Sequence, residues 1–114
     1  MKLEGTGKLL RIFIGESDRH GAQPLYTAIV ERARAEGLGG ATVFKGIEGY
    51  GAHSVVHAAR VFDLSTDLPV LIELVDSEER IRAFIPILDE LVHEGMITME
   101  TVEVIRYKSG SPRA

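Results

Sequence analysis

The sequence reads as an α+β chain whose elements follow the order β-α-β-β-α-β. Two kinds of pattern carry that expectation. Short runs alternate apolar and polar residues with period two, and two longer stretches place apolar residues at helical spacing between recognisable start and stop signals. Two strand–helix–strand crossovers in succession give the ferredoxin-like arrangement, a four-stranded antiparallel sheet with both helices on one face. At 114 residues the chain is expected to form a single domain, 1–114.

Leu9 to Ile14 alternates, with Leu10, Ile12 and Ile14 on one side and Leu9, Arg11 and Phe13 on the other. Pro24 suits a first helical position, where its missing N–H would be unpaired anyway. Leu25, Ala28, Ile29 and Ala33 follow at helical spacing, and Gly37 supplies the stop. The second strand is expected from Ala41 to about Ile47, and the third from Val70 to Val75, opened by Pro69. Asp76 and Glu79 stand like a capping box ahead of Ile81, Phe84, Ile85, Leu88, Leu91 and Val92, a stripe closed by Gly95. Pro86 interrupts this stripe without changing its phase, so one kinked helix is expected. Thr101 to Tyr107 reads as the last strand, and 109–114 as a flexible tail.

If Leu10, Ile12, Ile14, Val70, Ile72 and Leu74 face the helices, Leu9, Arg11, Phe13, Leu71, Glu73, Val75, Ile105 and Tyr107 lie on the open face. Such a face is too apolar to stay solvated, which predicts either burial between copies of the chain or cover by the long loop. That loop, Ala52 to Asp67, has no clean period, and long aperiodic loops in small domains are usually functional or disordered. It follows Gly46-Ile47-Glu48-Gly49-Tyr50-Gly51, which suggests either a shaped turn or an anion cradle. The run is neither a Rossmann fingerprint nor a Walker loop.

Composition excludes several classes. There are no cysteines, so disulfides, thiolate metal sites and cysteine nucleophiles are absent. A net charge of −4 argues against a general grip on nucleic acid. No run approaches the ~18 apolar residues of a membrane span, and a cytoplasmic location is expected.

Three segments give the chain a family resemblance. They are Gly40-Ala41-Thr42-Val43 through Gly49-Tyr50-Gly51, Asp67-Leu68-Pro69-Val70-Leu71-Ile72-Glu73, and Thr101-Val102-Glu103-Val104-Ile105-Arg106-Tyr107-Lys108-Ser109-Gly110. In their order and separation the chain resembles the PII-like, uncharacterised family called domain of unknown function 190. It is more distantly similar to the nitrogen-regulatory PII signalling proteins. The resemblance implies a signal-transduction homotrimer with its sheets packed inward and an adenine nucleotide in each cleft between subunits. It also implies a mobile loop, 52–67, that engages a protein or membrane-transporter partner. By the same resemblance Gly49, Tyr50 and Gly51 lie beside the nucleotide, and Arg106 and Lys108 grip phosphate. His93-Glu94-Gly95-Met96-Ile97-Thr98 lacks the second glycine-rich, lysine-bearing segment of PII proteins, so AMP or ADP is expected over ATP. Ala52 and His53 stand where PII proteins have arginine and glutamine, so the resemblance does not extend to 2-oxoglutarate sensing.

Taken as residues, Arg106 and Lys108 two apart on a strand would share one side and could meet one phosphate, or form an exposed basic strand end. Lys45 and Arg11 are second-rank cations for the same cleft. His53 and His57 would share a helical face if the loop coils, and are weak candidates for zinc because a third ligand is needed. No nucleophile is paired with a base, so a non-enzyme without a required cofactor is expected. A CutA-like metal-binding trimer and a small ferredoxin-like enzyme are the alternatives.

Overall fold

A computed structural model describes residues 5–51, 57–58 and 67–109. The elements are β1 (Gly5–Gly15), β2 (Arg19–His20), β3 (Gln23–Pro24), α1 (Leu25–Ala35), β4 (Thr42–Lys45), β5 (Glu48–Gly49), β6 (His57–Ala58), β7 (Pro69–Asp76), α2 (Glu78–Leu91) and β8 (Met96–Val104). β4, β7, β1 and β8 form, in that order, a four-stranded sheet. All its pairings are antiparallel. The two-residue strands pair separately, β2 with β3 and β5 with β6.

The alternation in β1 and β7 works as the sequence predicts. Leu10, Ile12, Ile14, Val70, Ile72 and Leu74 are buried against Leu25, Ile29 and Ala33 of α1 and Ile81, Phe84, Leu88 and Leu91 of α2. Each such side chain contributes about 1.5–3 kcal/mol relative to exposure. α1 ends as expected at Gly37, whose φ of 83° lets the Leu38 N–H turn back to the Ala33 carbonyl at 3.1 Å. α2 runs unbroken through Pro86. Both Pro86 and Arg82, whose carbonyl the proline leaves without a donor, are exposed, so water can satisfy that carbonyl.

Several boundaries differ from the sequence reading. β1 starts at Gly5 instead of Leu9, β4 ends at Lys45, and Pro24 lies in β3 as the N-cap of α1 instead of at its first helical position. The cap of α2 is Ser77, whose hydroxyl accepts from the Arg80 N–H at 3.3 Å. Asp76 is instead fully buried and accepts from Gly39 N–H at 2.9 Å and Ser77 N–H at 2.7 Å. α2 stops at Leu91, and Gly95 lies in the turn into β8. The largest change is β8, which spans Met96–Val104 in place of the expected Thr101 to Tyr107. β1 is long enough to pair with all of it, from Phe13 opposite Met96 to Gly5 opposite Val104. Ile97 and Met99 turn toward the helices and pack on the core. Ile105 and Tyr107 therefore follow the sheet and are not part of its open face.

That open face is built in rows. Phe44, Leu71, Phe13 and Met96 are register neighbours across all four strands. The next row is Thr42, Glu73, Arg11 and Thr98, and beyond it Val75, Leu9 and Glu100 are aligned. Phe44, Val75 and Met96 remain exposed in the single chain.

Candidate functional site

The foot of the long loop is fastened to Pro69. Gly46 follows β4 and donates its N–H to the Pro69 carbonyl at 2.7 Å. A β-carbon on Gly46 would lie 2.7 Å from Pro69 Cγ, and one on Gly49 would lie 3.0 Å from the same atom. Two of the three glycines in the Gly46–Gly51 run thus answer to close packing on a proline ring, the shaped-turn reading of that run. Gly51 differs, since a β-carbon there meets no described atom within 4 Å. β5 then pairs with β6, Glu48 opposite Ala58 and Gly49 opposite His57. His57 thus sits in an extended pair, which removes the helical face it would have shared with His53; His53 lies outside the described residues. Among the described residues no three histidine or carboxylate side chains are grouped to hold a metal.

Beside this foot, Ile47 is 81% and Tyr50 67% exposed, although both are large and apolar or aromatic. Lys45 points to Glu16, with Nζ 2.6 Å from the carboxylate. Arg11 lies in the middle of the open face. Its Nε donates to Glu73 at 3.0 Å and its Nη1 to Glu100 at 2.6 Å. The hydrogen bond to Glu73 is the main reason its guanidinium holds its proton more tightly than usual, with Glu100 adding to it. Both second-rank cations are therefore engaged with carboxylates inside the chain.

Arg106 and Lys108 are exposed and lie beyond the end of β8. β8 ends at Val104, so neither residue lies on the strand itself, and Lys108 makes an isolated bridge. Nor does the fold bring them to the glycines. Gly46 and Gly49 are packed at the Pro69 end of β7, whereas Tyr107, between the two cations, is bonded to Gly39 beside Asp76 at the other end. Over the 8 residues of β7, at about 3.3 Å each, those ends are roughly 23 Å apart.

Tyr107, like Ile105, is misplaced by sequence reasoning. Alternation assigns it to the open face, but its hydroxyl donates to the Gly39 carbonyl at 3.0 Å. No periodic signal marks such a contact, since it crosses from the C-terminal segment to the α1–β4 turn.

A four-stranded antiparallel sheet in the order β4-β7-β1-β8 with two helices on one face defines a ferredoxin-like fold, the fold of PII-like proteins. The chain belongs to the DUF190 family, described as "Uncharacterized ACR", whose model matches residues 7–104. It is 45% identical over 100 residues to a UPF0166 protein of Aquifex aeolicus, covering 86% of this chain and 92% of that one. It is 39% identical over 100 residues to a UPF0166 protein of Methanocaldococcus jannaschii, covering 87% and 92%. Among solved structures it is similar to a protein of Thermus thermophilus described as PII-like signaling, with a TM-score of 0.63, 22% identity and coverage of 89% and 91%. A nitrogen regulatory PII-like protein of Thiomonas intermedia, solved with ADP, AMP and bicarbonate, gives a TM-score of 0.58 at 17% identity, covering 91% of each chain. CutA of Synechococcus elongatus gives 0.58 at 9% identity, covering 95% and 90%. At these identities the structural likeness concerns the fold. Among the described residues no helix is long and apolar enough to cross a membrane.

Proposed function

We propose that this protein is a PII-like sensor that binds AMP or ADP in clefts between copies of itself, with the loop 52–67 engaging a protein partner. The observation that carries the proposal is the separation of the two candidate half-sites. The loop foot and the Arg106–Lys108 segment sit at opposite ends of β7, farther apart than an arginine side chain can span. They serve one ligand only if one copy supplies the foot and a second supplies the cations. A head-to-tail contact closes into a ring where the rotation between copies permits it, and the resemblance to PII proteins makes three the number of copies proposed.

Two further features support it. The row Phe44, Leu71, Phe13 and Met96 gives the open sheet face an apolar stripe across its full width, suited to burial in an inward-facing trimer. Exposed Tyr50 offers a ring on which a purine can stack beside a stretch of backbone left uncovered at Gly51. The Thiomonas intermedia protein of the same fold was solved with ADP and AMP bound, which makes an adenine nucleotide the ligand to test first. In this reading residues 1–114 act as one domain without catalysis, in the cytoplasm, where such nucleotides are abundant. With a net charge of −4, nucleic acid is not a partner.

Calorimetry with AMP, ADP, ATP and adenosine tests the proposal. AMP or ADP is expected to bind more tightly than ATP, and Arg106→Ala is expected to weaken AMP by about 1.5–3 kcal/mol, the range for hydrogen bonds to charged groups. Absence of binding at millimolar nucleotide removes the proposal, and an unchanged affinity in the variant removes Arg106 from the site.

A further inference from the structure

Arg106 and Lys108 follow the end of β8 at Val104, and of the two only Lys108 is held by backbone pairing, in an isolated bridge. The residue between them has a fixed address. The Tyr107 hydroxyl donates to the Gly39 carbonyl at 3.0 Å, and the N–H of the same Gly39 donates to Asp76 Oδ2 at 2.9 Å. Asp76 Oδ1 accepts from the Ser77 N–H at 2.7 Å, at the start of α2. Asp76 is fully buried at the end of β7, opposite Lys8 of β1. A further bond from Arg80 Nη1 to the Gly37 carbonyl, 3.1 Å, ties α2 to the same turn. The chain of contacts therefore runs from the sheet and α2 through the α1–β4 turn to the tyrosine hydroxyl.

We propose that Tyr107 is a positioning residue for the phosphate end of the nucleotide site, an inference that rests on the nucleotide reading above. Long basic side chains lose rotamer freedom when they close on a ligand, and a backbone held in advance spares the further cost of ordering the segment that carries them. Gly39 is suited to the relay because one peptide group on either side of its α-carbon serves each partner: its N–H meets the buried carboxylate and its C=O meets the phenol. Tyr107 touches neither phosphate nor base in this arrangement. It sets the origin from which Arg106 and Lys108 reach the neighbouring copy's cleft.

Tyr107→Phe keeps the ring and removes the hydroxyl. Affinity for AMP is expected to fall about three- to tenfold, the equivalent of one net hydrogen bond. Affinity for adenosine, which has no phosphate, is expected to stay unchanged. A tyrosine that merely stabilised the fold would lower both together. Amide hydrogen exchange of the unliganded trimer supplies the second measurement: faster exchange confined to residues 105–108 in the variant is expected. Equal losses for AMP and adenosine, or no loss for AMP, overturn the proposal, as does unchanged exchange at 105–108. Wild-type protein that binds no AMP overturns the phosphate role together with the nucleotide reading. Exchange still tells those failures apart, because it reports the Tyr107 tether without ligand.

Discussion

Gly46 and Pro69 are pressed together at the foot of the long loop, with the glycine N–H on the proline carbonyl at 2.7 Å and room for no β-carbon between them. The contact joins the end of β4 to the start of β7, so the loop leaves and returns at one fixed point. The proposed sensor function needs such a fixed root, because motion of the root would blur what the loop reports.

Gly46→Ala therefore introduces a carbon where Pro69 Cγ already stands. A loss of about 1–3 kcal/mol is expected, as for other overpacked sites. Gly51→Ala meets no described neighbour within 4 Å and is expected to change stability by no more than about 0.5 kcal/mol. Urea unfolding of the two variants checks the contrast. Equal stabilities would show that Pro69 yields to the added carbon.

Phe44→Glu places a charge in the apolar row of the open face, at a position 47% exposed in the single chain. A monomer tolerates that change, whereas a trimer burying the row does not. Sedimentation velocity at micromolar concentration is expected to show trimeric wild type and a folded, monomeric variant. Identical sedimentation of the two proteins would remove this face from the interface.

Glu78, in the first turn of α2, accepts from Arg82 Nε at 2.7 Å. That hydrogen bond, with the charges of Lys8 and Arg82, holds its carboxyl below the usual 4.5. A lowered folded-state value means that the unfolded chain takes up the proton first as the pH falls. The stabilisation is thus complete above the ordinary carboxylate value and disappears as pH falls through the folded one. Wild type is expected to be modestly more stable than Glu78→Gln at pH 7, with the difference closing below about pH 4.5. A difference that widens in acid would contradict the pairing with Arg82.

The core of the fold was legible because burial follows period. Leu10, Ile12 and Ile14, with Val70, Ile72 and Leu74, point to the helices as their alternation requires. The sequence reading starts the last strand at Thr101, whereas β8 begins at Met96 because β1 is long enough to pair with it from Phe13 onward. The cap of α2 was displaced by one residue because Asp76 and Ser77 are both good capping types. Burial of Asp76 under the Gly39 turn, a contact distant in sequence, decides between them. The candidate site was legible only as two separate segments. Their relation depends on sheet topology, which places Gly49 and Arg106 at opposite ends of one strand, and on copies of the chain that no periodicity describes.

Complementation between damaged copies is the most direct test of a cleft shared by two subunits. One chain carries Arg106→Ala with Lys108→Ala, and the other carries Tyr50→Ala with Gly51→Val; neither alone is expected to bind AMP. After unfolding together and reassembly at equal amounts, random trimers should regain AMP binding at about one cleft in four, where an intact foot meets an intact pair of cations. Calorimetric stoichiometry near that fraction is the predicted result. No recovery, although wild type treated identically binds AMP, would place the whole site within one chain and contradict the shared cleft.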